Sequence, residues 1–136
     1  MIAIGNSLRR DDGAGRRVIE LLAPPPEVAV REVFQLTPEI AEDLAGAGTV
    51  IFVDASVATD RVMLEPVEAG GGSMPISHSL APAEVVALAQ VLYGFTGRSW
   101  LCHVPGVDFE DGEGLSETAE ANARRAAERL RAVLWG

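Results

Sequence analysis

The segment Thr49–Asp54, with the sequence TVIFVD, is the clearest indication of the fold class. Its four central residues are all apolar and three of them are β-branched, which favours a strand that is buried on both faces. Such strands are typical of the centre of a parallel sheet, because the helical crossovers between parallel strands cover both sides. We therefore predict a parallel α/β fold with this strand at its centre.

Short apolar runs alternate with helical patterns on both sides of this strand. Further strands are predicted at Met1–Ile4, Val28–Phe34, Val62–Glu68 and Ser99–Val104. Helices are predicted from Gly13 to Leu22, from Thr37 to about Ala45, from Pro82 to Gly94, and after a cap at Ser116. This order indicates a three-layer α/β sandwich, in which a mostly parallel twisted sheet of about five strands carries helices on both faces. Pro66 predicts an edge position for its strand, and we expect residues 1–136 to form one domain.

The charge balance excludes several classes of function. The 136 residues include 20 acidic and 11 basic ones, for a net charge of −9, and none of the basic residues is lysine. Nucleic acids and anionic membranes need a positive surface, so neither is an expected partner. Without lysine, Schiff-base catalysis and P-loop phosphate binding are excluded. A phospho-accepting receiver domain is excluded as well, because it needs a lysine to hold the phosphoryl group.

The remaining bulk features point to the cytoplasm. No apolar run reaches about 18 residues, so we expect no membrane span. The first residues reach glycine and two acids too early for a secretory signal. The single cysteine, Cys102, excludes an internal disulfide and agrees with a reducing compartment. We expect a cytoplasmic monomer.

Polar side chains follow the predicted strands at the sheet edge where parallel α/β proteins bind ligands. Asp11 and Asp12 follow the first strand, Asp54 ends the third, and His78 precedes the third helix. Because neighbouring strands lie about 4.8 Å apart, carboxylates that leave two adjacent strands can share one small ion. An imidazole would complete a set of oxygen and nitrogen donors. That set suits a divalent transition metal with open positions for substrate.

Each of these residues also has a structural interpretation. Asp11 or Asp12 can simply cap the first helix, and Asp54 can form a turn. A single histidine near a helix start is more often structural than a ligand. Cys102 and His103 occupy adjacent, opposite-facing positions of a strand, and we predict a structural role for both.

Four segments resemble motifs of the hydrogenase maturation proteases. These endopeptidases remove the C-terminal extension from the large subunit of nickel–iron hydrogenases. Residues 4–15 (IGNSLRRDDGAG) resemble the family's opening G-N-x-L-x-x-D-(D/E)-G-x-G motif, and residues 50–55 (VIFVDA) resemble its central strand. Residues 77–80 (SHSL) resemble its histidine loop, and residues 112–116 (GEGLS) resemble the segment before its final helix. The four segments are colinear with the family and extend over nearly the whole chain.

The resemblance implies roles for particular residues. The family's metal-contacting acid falls on Asp12, its strand-end aspartate on Asp54 and its histidine on His78, so we predict these three as metal-contacting and catalytic. Many members carry an acid after the second strand, where this chain has glutamine in the segment QLTPE, residues 35–39. Substrate contacts are predicted at Asn6, Gln35 and Thr37.

The resemblance also implies a reaction. The chain would remove the C-terminal extension of a nickel–iron hydrogenase large-subunit precursor, with nickel in the precursor as the recognition signal. A metal can polarise the scissile carbonyl or supply hydroxide while a carboxylate acts as base, and the residues do not choose between these routes. Two alternatives stay open. One is a metal-reading maturation module that binds without cleaving, and the other is a peptidase of the same fold with a non-hydrogenase substrate.

Overall fold

A five-stranded sheet organises the computed structural model, which describes residues 1–70 and 80–136. Its strands are β1 (Ile2–Ile4), β2 (Arg31–Val33), β3 (Thr49–Ser56), β4 (Met63–Pro66) and β5 (Arg98–Pro105). Their spatial order is β2-β1-β3-β5-β4, with β4 antiparallel to β5 and the other neighbours parallel. The predicted α/β fold with a mostly parallel sheet is therefore confirmed, and so is the edge position of the strand that contains Pro66.

Helices cover both faces of the sheet. They are α1 (Ala14–Leu22), α2 (Ile40–Leu44), α3 (Pro82–Tyr93) and α4 (Glu117–Trp135). Phe52 belongs to the core cluster under α2 and α3, and the next residue, Val53, belongs to the cluster under α1 and α4. Both side chains are fully buried, which explains why this strand is apolar at consecutive positions. None of the helices in the described ranges combines the length and apolar content needed to cross a membrane.

Several element boundaries differ from the sequence prediction. The strand predicted at Val28–Phe34 is only three residues long as β2, because it lies at a sheet edge and pairs on one side only. The second helix begins at Ile40 instead of beside Thr37. The amides of Ile40 and Ala41 bond to carbonyls three residues back, which makes the preceding turn tighter than an α-helix. The segment Thr37-Pro38-Glu39 predicts an N-cap at the Thr37 hydroxyl, and this prediction was wrong, because no side chain caps that helix.

The last helix begins as predicted. Ser116 is its N-cap, and the Ser116 hydroxyl accepts a hydrogen bond of 3.1 Å from the Ala119 amide. The buried face of α4 consists mainly of alanine, which lets the helix lie close to the sheet and to α1. The apolar pattern of the last helix predicts Val133 on that face, but its side chain is exposed.

Gly15 allows close contact between α1 and the sheet. A Cβ atom at this position would lie 2.6 Å from the backbone oxygen of Val53. Backbone oxygens of a central strand cannot move aside cheaply, so the first helix can approach β3 only with glycine here.

We expect Gly15→Ala to lower the free energy of unfolding by about 1–2 kcal/mol, although alanine is the better helix former. The reason is the contact with the Val53 oxygen. Urea denaturation of the purified variant measures the change. Gly48→Ala is the matched control, because a Cβ there meets nothing within 4 Å. Equal stability of the two variants would contradict this account of the α1–β3 packing.

Candidate functional site

The carboxyl ends of β1 and β3 bring Asp12 and Asp54 to one cavity. Ile4, the last residue of β1, pairs in register with Asp54 of β3, so the loop that follows β1 passes beside Asp54. Both aspartates line a cavity of about 210 Å³ together with Gln35 and Leu80. The topology thus places two carboxylates and a polar amide at the sheet edge where the parallel fold predicts a ligand site.

The loop after β1 fixes the Asp12 carboxylate. Gly5 has a φ of +137°, and a Cβ there would lie 2.0 Å from the Asp12 carbonyl oxygen, so only glycine fits. The backbone N–H of Asn6 then donates a hydrogen bond of 2.7 Å to Oδ2 of Asp12. One carboxylate oxygen is therefore held by the backbone, which sets the orientation of the other.

Asp54 is held in an electrostatically unfavourable position. Burial, followed by the negative charge of Asp12, raises the pKa of the Asp54 carboxyl from its ordinary 3.8 to about 6. The Ala55 backbone hydrogen bond and the charge of His103 act in the opposite direction without cancelling the effect. Two carboxylates that repel each other in a partly buried cleft would gain stability from a shared cation.

Asp11, the neighbour of Asp12, has a different environment. Its side chain is fully buried, and its oxygens accept hydrogen bonds of 2.7–2.9 Å from the amides of Val107, Asp108 and Ser116 and from the Ser116 hydroxyl. Burial alone would raise the Asp11 pKa, but the bonds from Ser116, Val107 and Asp108 bring it below its ordinary value. Asp11 therefore connects the loop after β1 to the loop after β5.

The helix-capping interpretation of the acidic pair is wrong. Gly13 is the N-cap of α1, and no side chain caps that helix. A 3₁₀ turn over Arg10–Gly13 precedes it and directs the two neighbouring carboxylates to different partners. Asp12 faces the cavity, while Asp11 holds the loops.

Only some of the other predicted site residues line the cavity. Gln35 lines the cavity, whereas the Asn6 side chain closes a local turn by accepting a bond of 2.9 Å from the Leu8 amide. Thr37 is absent from the cavity lining, and its carbonyl accepts a bond from Ile40. His78 lies outside the described residues. The functional roles of all four stay predictions.

The structure also brings an unpredicted pair of residues close to the site. Nε2 of His103 lies 2.7 Å from Oε1 of Glu65, and His103 stands in register with Asp54. The sequence pattern assigned His103 a structural role because it does not reveal which strands are neighbours. Among the described residues, no three histidine, cysteine, aspartate or glutamate side chains form a group able to hold a metal.

A larger cavity of about 520 Å³ lies between the loop after β1, α1 and the start of α4. Each of its three arginines is paired with a carboxylate: Arg10 with Asp108, Arg16 with Glu20, and Arg17 with Glu120. These paired charges leave little attraction for a charged ligand. We therefore place the candidate site in the smaller cavity, where the carboxylates repel each other.

Several solved structures share this fold. The hydrogenase maturation protease HycI from Thermococcus kodakarensis KOD1 superimposes with a TM-score of 0.75 and 23% identity, covering 99% of this chain and 91% of its own. The Escherichia coli hydrogenase maturating endopeptidase HybD superimposes with a TM-score of 0.73 and 24% identity, covering 98% of this chain and 90% of its own. The hydrogenase 2 maturation peptidase from Thaumarchaeota archaeon SCGC_AB-539-E09 has a TM-score of 0.70 and 24% identity, and the superposition covers 98% of this chain and 96% of that protein.

The chain has the fold of the hydrogenase maturation proteases. The fold implied by the four sequence segments is thereby confirmed, over nearly the full length of both partners in each superposition. No protein-family model and no curated protein sequence matches the chain.

We expect Asp11→Asn to lower the free energy of unfolding at pH 7 by about 2–4 kcal/mol, because an amide cannot accept all of the buried bonds. Because the pKa of Asp11 is lowered in the folded state, its contribution to the free energy of unfolding is present above pH 3.8, the ordinary pKa, and is lost as the pH falls below that value. Urea denaturation between pH 3 and pH 7 tests both statements. Asp111→Asn is the control, because it changes an exposed acid in the loop after β5, and it should change stability by less than about 0.5 kcal/mol.

Asp54→Asn should have the opposite effect on stability. The pKa of Asp54 is raised in the folded state, so its protonation contributes to stability. This contribution is fully present below pH 3.8 and is lost as the pH rises through about 6. At pH 7.5 the variant should therefore be more stable than wild type by up to about 3 kcal/mol, and at pH 4 nearly equal to it. Thermal or urea unfolding at the two pH values measures this, with the exposed Asp60→Asn as control. A less stable variant at pH 7.5 would contradict the assigned environment.

Proposed function

We propose that this chain is an endopeptidase that removes the C-terminal extension of a nickel–iron hydrogenase large-subunit precursor. The observation that carries the proposal is the joint position of Asp12 and Asp54 on one cavity at the carboxyl edge of the sheet. The shared fold supports it, because the superimposed proteins are described as hydrogenase maturation proteases or peptidases. The precursor is thus the proposed partner, in the cytoplasm, with the protease acting as a monomer.

The donor chemistry of the cleft is compatible with a divalent cation. Asp12 and Asp54 raise the electrostatic energy of the cleft, which binding of a positive ion would lower. Two carboxylates make an incomplete set, and we propose His78 as the third donor. Leu80, two residues further along the sequence, lines the same cavity. Nitrogen and oxygen donors together suit nickel better than calcium or magnesium.

We propose that the nickel belongs to the precursor and serves as the recognition signal. Three protein donors leave coordination positions open, so the ion can keep ligands from the substrate while the protease contacts it. When bound, the metal would polarise the scissile carbonyl or acidify a water molecule. Cleavage would then depend on correct metal insertion, since the two aspartates repel each other without the ion.

The residues of the cleft divide the remaining tasks. The backbone bond from Asn6 holds one oxygen of Asp12, so its other oxygen is free to face the ion. Asp54, with its raised pKa, is suited to accept a proton from water near neutral pH. Gln35 lines the cavity and offers both a donor and an acceptor to a peptide backbone.

A covalent route through cysteine is disfavoured by the position of Cys102. Its side chain is buried in the core on the α4 side of the sheet, opposite the cleft. Burial raises the pKa of this thiol to about 12, so almost no thiolate exists at neutral pH. Hydrolysis by water is therefore the proposed reaction.

We expect Asp12→Asn, Asp54→Asn and His78→Ala each to abolish cleavage of the nickel-loaded precursor while leaving the protein folded. Mass spectrometry of the precursor after incubation with each variant detects the loss of the C-terminal extension. The metal-free precursor should remain uncut by wild type. Asp60→Asn is the control, because it removes an exposed acid outside the cleft.

Two results would overturn parts of this proposal. Wild-type rates from all three variants would reject the site assignment. A stable complex of wild type with an uncut, nickel-loaded precursor would instead identify a maturation module that binds without cleaving.

A further inference from the structure

Phe34 is an exposed aromatic residue at the mouth of the cleft. It directly follows β2, and it is 74% exposed, although phenylalanine is among the residues that gain most from burial. It lines the same cavity as Asp12 and Asp54. Two other exposed apolar residues follow parallel strands, Val57 after β3 and Val107 after β5, and neither lines that cavity. Phe34 therefore combines exposure to solvent with contact to the candidate site.

A second, smaller cavity adjoins the cleft at Phe34. This side cavity has a volume of about 150 Å³ and extends from the cleft toward Arg16 and Glu32. The residues that line both cavities are Ile4, Gly5, Asp12 and Phe34. A cavity of this volume accommodates a group of about the size of benzene. It is therefore large enough to receive one side chain of a peptide whose backbone lies at the two aspartates.

The lining of the side cavity favours an apolar group. Nε of Arg16 lies 3.3 Å from Oε1 of Glu20 and 3.7 Å from Oε2 of Glu32, and Nη1 of the same arginine bonds to the Ser7 hydroxyl at 3.5 Å. A guanidinium that is already shared in this way offers little attraction to a further charge. Oδ2 of Asp12 is bonded by the backbone. The larger side chains of the remaining lining are all apolar: Ala3, Ile4, Val33 and Phe34.

Two backbone hydrogen bonds fix the chain on either side of Phe34. The Gly5 N–H donates to the Val33 carbonyl, and the Leu80 N–H donates to the Leu36 carbonyl, each over 2.9 Å. The Leu36 side chain is also fully buried. The Phe34 ring is thus carried by an ordered backbone, so a contact with a ligand costs little conformational entropy there. Aromatic side chains placed in this way often dominate the energy of an interface.

We propose that Phe34 is a specificity-determining residue whose ring packs against an apolar side chain of the precursor close to the scissile bond. The side cavity receives that side chain, while the peptide backbone lies at Asp12 and Asp54. This inference rests on the proposed function, because it takes a polypeptide to occupy the cleft. The ring contributes to binding and takes no part in the chemical step.

Variants of Phe34 test the contact from the side of the protease. We expect Phe34→Ala to lower kcat/KM for the nickel-loaded precursor roughly tenfold, mainly through KM, because it removes apolar contact area. Phe34→Leu keeps an apolar group and should lose no more than about threefold. Val57→Ala is the matched control, because Val57 is 78% exposed at the same sheet edge and lines neither cavity. It should leave kcat and KM unchanged.

The decisive experiment removes the contact from the side of the substrate as well. Mass spectrometry of the wild-type products locates the cleaved bond, and each apolar residue close to that bond is then replaced by alanine in the nickel-loaded precursor. We expect one replacement to raise KM roughly tenfold with wild-type protease and by less than about twofold with Phe34→Ala, because both changes remove the same contact. Independent effects at every position, or an unchanged KM in Phe34→Ala, would overturn the proposal.

Urea denaturation separates a lost contact from a damaged fold. Because the Phe34 side chain is exposed, both Phe34 variants and Val57→Ala should unfold at the midpoint of wild type. A lowered midpoint in Phe34→Ala, with kcat reduced as much as kcat/KM, would assign the residue a structural role and overturn the proposal.

Failure of this inference is distinguishable from failure of the proposed function. If wild type cleaves the precursor and Phe34→Ala has the same KM, only the Phe34 contact is rejected. If wild type binds the precursor without cleaving it, the Kd values of wild type, Phe34→Ala and Val57→Ala replace KM and still decide the contact. Neither cleavage nor binding by wild type would overturn both.

Discussion

The buried carboxylate of Asp11 is the interaction on which the site depends. It accepts bonds from three backbone amides and one hydroxyl, all supplied by the loop after β5 and the start of α4. A charged group without water is tolerated only when its oxygens are satisfied in this way. Because Asp11 directly precedes Asp12 in the chain, the bonds that hold the two loops together also fix the position of the backbone that carries the Asp12 side chain.

Stability and proposed function oppose each other at Asp54. The burial that raises its pKa, together with the nearby charge of Asp12, makes the metal-free cleft less stable than a neutral one would be. Sites that bind ions or catalyse reactions commonly retain such unfavourable arrangements. The adjacent residues Asp11 and Asp12 thus play contrasting parts, since one stabilises the fold and the other destabilises its neighbour.

The sequence predicted the fold class and placed the Asp11–Asp12 pair near Asp54, because both follow from local patterns. The choice of Asp12 within that pair came from the family resemblance. Consecutive apolar residues in β3 require helices on both faces, and acids at the ends of parallel strands lie at one edge. The role of Asp11 could not be predicted, since its donors lie about 100 positions away in a loop without a periodic pattern. The Glu65–His103 pair depends on β4 lying antiparallel beside β5, a neighbour relation that the strand pattern leaves open.

The two sheet edges determine how a polypeptide can approach. On one side β4 ends in Pro66, which lacks an amide hydrogen, and on the other side β2 carries the charged, exposed residues Arg31 and Glu32. Both features oppose the addition of a further strand. Under the proposed function, the tail of the precursor would therefore not add a strand to the sheet, which is the mode by which many proteins capture extended peptides. It would cross the strand ends instead, and its recognition would then depend on side chains and on the bound ion more than on backbone hydrogen bonds between strands.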